Sequence, residues 1–151
     1  MIPAAKTDRS LNPILKTGLL IGVLCAIWMF VVGVAGWYRD PAMSRLFFFV
    51  IVIEAQCLFW GLRQTAREGR TYSGQIVAGT MMAIVGGVVI IAASLVFTSV
   101  FRDAMDVMRS RDPVVTPMSA ALNGFVGTLV TGIVFSALIA LRVRGAGALI
   151  R

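Results

Sequence analysis

Four long apolar runs divide this chain: Gly18 to Tyr38, Leu46 to Leu62, Ile76 to Phe101 and Met118 to Leu141. A helix that crosses a bilayer needs roughly 17–25 mostly apolar residues. Each run is long enough, the second at the short end and carrying Glu54 and Gln56. Backbone polar groups cannot stay unpaired in hydrocarbon, so a spanning chain is either helical or a closed barrel. Barrel strands alternate in polarity, whereas these runs are apolar on every side. They predict an all-α membrane protein: a four-transmembrane-helix bundle with spans over about 17–38, 42–63, 75–101 and 117–142. At 58% hydrophobic and 14% charged, the 151 residues leave no room for a soluble domain, so one integral membrane domain over 1–151 is expected.

Lys6, Arg9 and Lys16 precede the first run as they would in a secretion signal. The run is longer than a signal's apolar core of about 7–15 residues and lacks a small-residue cleavage site, so it is expected to stay in the protein. Asp40 before Pro41 reads as N-cap and first position of the second helix, and Thr116 before Pro117 reads the same way for the fourth. All five prolines fall outside the apolar interiors, so no span is expected to be broken.

Charge predicts orientation. The N-terminal segment, the loop between the second and third runs and the C-terminal tail carry nine cations, among them Arg63, Arg67, Arg70, Arg142 and Arg144, against Asp8 and Glu68. The other two loops carry five cations against four acids. Positive loops stay in the cytoplasm, which places both termini inside. The basic character follows from this asymmetry and from attraction to anionic lipid, so no nucleic-acid partner is implied. Cys25 and Cys57 lie within spans and read as small apolar residues rather than a disulfide.

Glu54 is the only formally charged residue inside any of the four runs. An ionisable group at that depth is a candidate functional residue by default. No Lys or Arg shares its depth, and Thr128 and Thr131 on the fourth helix should run back past it. A neutral carboxylic acid can donate to such a hydroxyl, whereas an unpaired carboxylate would bear the full cost of desolvation. Glu54 is therefore expected to be protonated at neutral pH and to face the bundle or a partner subunit. The chain has no His, no second carboxylate near Glu54 and no nucleotide-binding loop, so no cofactor, no metal site and no catalytic residue is expected.

Between the third and fourth runs, Phe101, Ala104, Met105 and Met108 recur at helical spacing beside Arg102, Asp103, Asp106 and Arg109. This predicts a short helix at the outer interface, its apolar side dipped into the headgroup boundary. Small residues repeat every fourth position at Gly79, Ala83 and Gly87, and again at Gly124, Thr128, Gly132 and Ser136, with Gly18 and Gly22 starting a shorter row. Such rows allow close helix crossings where lipid supplies no hydrophobic drive.

The Leu15-Lys16-Thr17-Gly18 entry to the first helix, the segment Gly69-Arg70-Thr71-Tyr72-Ser73-Gly74-Gln75 before a Gly-rich third helix, and the polar segment before the fourth are similar to a known group. On these residues the chain resembles the bacterial four-helix membrane proteins of domain-of-unknown-function family 4199. That family's glycine pair appears here as separated Gly69 and Gly74. The resemblance implies a bacterial cytoplasmic membrane and no established activity, so it transfers no functional residue. The expected role is that of an accessory or scaffold subunit without its own catalysis, packed against other membrane proteins or itself. The alternative is an oligomeric transporter, or a flipping unit for a lipid-linked solute, with Glu54 as proton or cation site.

Overall fold

A computed structural model describes the backbone of residues 7–148 and the side chains of residues 13–142 other than Ser44. Its helices are α1 Thr7–Val34, α2 Phe49–Arg67, α3 Tyr72–Val100, α4 Arg102–Arg111 and α5 Pro117–Ala148. Two 3-10 segments, Trp37–Arg39 and Met43–Phe48, lie between α1 and α2, and the described residues contain no strand. Four helical segments are long and apolar enough to cross a membrane: Pro13–Val34, Arg45–Arg67, Tyr72–Val100 and Pro117–Arg142. The architecture is an all-α four-helix membrane bundle with α4 as a short extra helix.

The ends of these elements follow local chemistry. α1 stops at Val34 instead of continuing to Tyr38, because Gly36 adopts a left-handed conformation at φ 67° and turns the chain into Trp37–Arg39. Asp40 does not cap α2 as its position before Pro41 implies. Its Oδ1 accepts from Ala42 N at 2.8 Å, and residues 43–48 wind as 3-10 helix before α2 begins at Phe49. An Asp carboxylate serves the amide two residues on as readily as a helix terminus. Thr116 does cap α5: Ser119 N donates to Thr116 Oγ1 at 3.1 Å while Thr116 N donates to Ser119 Oγ at 2.9 Å, a reciprocal box that satisfies amides at the helix start.

α3 lies between α1 and α5 and forms the broadest contacts in the bundle, with α2 bridging α1 and α5 on the other side. The glycines explain the closeness. A Cβ placed on Gly18 or Gly22 would stand 2.6 Å or 2.5 Å from the Cβ of Val85 or Val89 on α3. Across the other α3 face, Gly79 meets Ser136, Gly87 meets the Phe125 ring and Gly132 meets Ala83. Gly124 is looser, its first neighbour being Ile90 at 3.4 Å. Thr128 is half-buried.

α4 departs from expectation in what its apolar side touches. Ala104 and Met105 are buried, and Ala104 joins Met29 and Phe97, flanked by Phe30, Tyr38 and Phe101, in a cluster at the end of the bundle. The helix is held by polar contacts as well: Tyr38 Oη donates to Asp103 Oδ2 at 2.6 Å, and the Arg39 guanidinium pairs with the same carboxylate. Protein thus covers the Ala104 and Met105 part of the face that the periodicity marks as apolar, while Phe101 and Met108 stay partly exposed.

This anchor is expected to respond to pH. The hydrogen bonds from Arg39 and then Tyr38 hold the Asp103 carboxyl below its ordinary value, and the bond to Asp103 raises the Tyr38 phenol above its own. A lowered carboxyl contributes stability above its unfolded value of about 4, lost as pH falls further; a raised phenol contributes below about 10, lost as pH rises beyond it. The α4 amides should therefore exchange hydrogen faster, after correction for intrinsic rates, below about pH 4 and above about pH 10. Asp103→Asn should remove the acid limb, and an acid limb unchanged in that variant would contradict the assignment.

Candidate functional site

Glu54 sits on α2 near the middle of the Arg45–Arg67 span. Its side chain points into the bundle, leaving the residue 3% exposed. Its neighbours on α2 explain this direction: Leu58, Gly61, Leu62 and Thr65 are also buried, so the helix turns one stripe inward and Glu54 belongs to it. Thr131 of α5 donates from Oγ1 to Glu54 Oε2 at 2.6 Å. The same hydroxyl lies 2.9 Å from Gly127 O and 3.2 Å from Thr128 O. Thr128 itself supplies only that backbone carbonyl; its hydroxyl makes no hydrogen bond to Glu54 among the described residues.

A hydroxyl has one hydrogen and cannot satisfy all these acceptors. When Oε2 carries a proton it can donate to Thr131 Oγ1, which then donates to Gly127 O, and the chain of hydrogen bonds closes. The second oxygen, Oε1, is buried without a hydrogen-bond partner among the described residues. A Cβ on Gly132 would stand 3.1 Å from it and would also run into Ala83. Gly132 therefore serves both the α3–α5 crossing and the space occupied by the carboxyl. Cys25 and Cys57 belong to the same buried cluster as Leu58 and Met82, and both are free thiols.

A second buried polar group ties α2 to α3 at the basic end, where the α2–α3 connection lies. Thr65 Oγ1 donates to Leu62 O at 3.1 Å. The Gln75 amide is oriented so that its nitrogen donates to Leu62 O at 3.3 Å and Thr65 Oγ1 at 2.9 Å while its oxygen accepts from Ala66 N at 2.9 Å. Thr17 is buried nearby against Gly61, its hydroxyl without a partner among the described residues. Apolar patterning does not reveal this group, because Gln75 ends a polar loop. The signal that does point to it is the Ile14, Thr17, Ile21 spacing, which places Thr17 on the inward stripe of α1.

Arg63, Arg67 and Arg142 are exposed and Arg70 is half-buried, its Nε 3.5 Å from Glu68 Oε2. The side chain of Arg144 lies outside the described residues. Among the described residues the ion pairs are this one and Arg39–Asp103, so no cation pairs with Glu54, and no three His, Cys, Asp or Glu side chains converge as a metal site. No family model, curated protein or solved structure matches the chain. Any functional reading therefore rests on the geometry itself.

Proposed function

We propose that the protein is a small accessory or scaffold subunit of the bacterial cytoplasmic membrane, without chemistry of its own, acting by packing against other membrane subunits. The observation that supports this best is the enclosure of Glu54: the one carboxyl deep in a span is spent on a bond to Thr131 between α2 and α5. Two surface grooves, an apolar one of about 670 Å³ along α1 and one of about 260 Å³ beside α4, are lined by other residues. A carboxyl that only joins helices is interhelical glue in an environment where polar contacts replace hydrophobic drive. The bacterial setting is only what the resemblance to family 4199 implies; the geometry does not bear on it.

Purification of the intact chain from its native membrane in mild detergent tests the role. Co-purifying membrane subunits are the expected result, whereas a lone chain that restores pH-dependent uptake in vesicles would replace it with the second reading. That second reading, an oligomeric transporter or flipping unit using Glu54, draws on one observation, the absence of a hydrogen-bond partner for Oε1 among the described residues.

Orientation follows from the charge asymmetry, nine cations against two acids on one side and five against four on the other. Reporter fusions after Gln75 and Arg151 are expected to read cytoplasmic, and fusions after Asp40 and Asp112 external. Inversion of all four would refute this orientation.

A further inference from the structure

α2 presents to the outside of the bundle a row that no other element covers among the described residues. Phe49, Val52, Gln56, Phe59 and Arg63 are all exposed, separated alternately by three and four residues. Such a row has the a/d spacing of a helix that packs along a second helix with a shallow crossing angle. Gln56 occupies the middle of the row and stands equidistant from the two ends of the Arg45–Arg67 span. Its amide has no hydrogen-bond partner among the described residues. From the middle of a span, water lies on the order of 15 Å away in either direction, beyond the reach of a glutamine side chain. An amide facing hydrocarbon with both its donors and its acceptor unused is strongly unfavourable. Something polar must meet it there.

We propose that the occupant is a second copy of this chain, and that the α2 seam is the contact of a parallel homodimer in which the two Gln56 amides bond to each other. Two copies inserted with the same topology are related by an axis along the membrane normal, so a residue near that axis meets its own counterpart at the same depth. Glutamine is its own complement, since its carbonyl accepts what its amino group donates, and one pair can close two hydrogen bonds. A single polar position within an apolar seam also sets register, because any slip separates the amides. Phe49, Val52 and Phe59 supply the packing around it. Phe49 is already steadied from within by the Trp28 ring, 5.0 Å away between centroids. Arg63 closes the row at the basic end, where water and anionic headgroups screen the pair of guanidinium groups.

This inference names a partner for the packing role proposed above and rests on that role only for its biological use. A homodimer found with no other subunit attached would remove the accessory role and leave the α2 contact intact.

The test uses the full chain. Energy transfer between C-terminally labelled copies, followed on dilution with mild detergent, should show self-association that Gln56→Leu weakens about tenfold and Gln56→Asn weakens less. At dilutions where both are monomeric, Gln56→Leu should keep the wild-type thermal transition, since Gln56 has no hydrogen-bond partner in its own bundle among the described residues. A photo-crosslinking amino acid at Val52, with Gln56 left in place, should yield in membranes a product of twice the chain's mass, and at Leu138 on α5 none. Equal dissociation constants for wild type and Gln56→Leu would overturn the proposal. So would a Val52 product containing only a different protein, an outcome that would nonetheless support the accessory role.

Discussion

Replacing Gly132 by leucine should abolish the cooperative thermal transition of the purified protein or lower it severely. The first side-chain carbon alone would overlap the Ala83 Cβ and crowd Glu54 Oε1. The remaining atoms of leucine have nowhere to go unless α5 moves away from α3, the broadest helix contact in the bundle. Overpacking a well-filled interior costs about 1–3 kcal/mol, occasionally more, a large part of the ordinary 5–15 kcal/mol margin of a folded domain. Gly127→Leu on the same helix is the control, because a Cβ there meets nothing within 4 Å. Gly87→Leu should fall between the two, since what it displaces is the ring of Phe125 rather than a Cβ fixed to its backbone. Leu138→Phe, at a position 57% exposed, should be mild. Thermal unfolding in detergent followed by size-exclusion chromatography ranks the four; a Gly132→Leu variant that melts with wild type would mean that the α3–α5 crossing is not as close as described.

The ranking among those glycines separates what an amino-acid sequence announces from what only three dimensions decide. Four apolar runs are sufficient to demand four helices, because hydrocarbon leaves the backbone no other partner. The small-residue rows announce close approach and stay silent on which helix approaches. Gly79 and Gly132 turn out to face α5 and α3, Gly18 and Gly22 face Val85 and Val89, and Gly127, one position from the Gly124–Thr128 row, faces open space. Local signals behave similarly. Thr116-Pro117 caps a helix, whereas Asp40-Pro41 makes a turn, since the chemistry that caps a terminus can be spent within two residues. Trp28, which lies midway along the first apolar run, donates from Nε1 to Leu46 O at 3.0 Å, within the segment 43–48 that winds as 3-10 helix. For the candidate site, depth along the chain is enough to bring Thr131 to Glu54. Choosing between Thr131 and Thr128 depends on helix rotation, and so does the finding that Glu54 faces inward while Gln56, two residues on, faces outward.

The largest effect expected at the candidate site comes from Thr131→Val. It keeps the shape of the residue and deletes the hydroxyl bonded to Glu54, leaving both carboxyl oxygens without partners among the described residues. Stranding a buried polar group in this way costs about 1–3 kcal/mol, more where the group is ionised. Glu54→Gln should lie close to wild type, since its amide can still bond to Thr131. Glu54→Leu should be tolerated too, because exchanging a buried polar group for an apolar one of similar size removes the desolvation cost along with the bond. In the double variant Glu54→Leu/Thr131→Val the loss caused by Thr131→Val alone should largely disappear, which is the signature of one coupled pair. Infrared spectra of the isolated protein at pH 7 should show Glu54 as a carboxylic acid, the form that completes the hydrogen bonds through Thr131 to Gly127 O. A carboxylate band that Glu54→Gln removes would contradict that form. If Glu54→Gln folds normally but releases co-purifying subunits or abolishes a transport activity, the carboxyl is more than a link between α2 and α5, and the interhelical-glue reading fails.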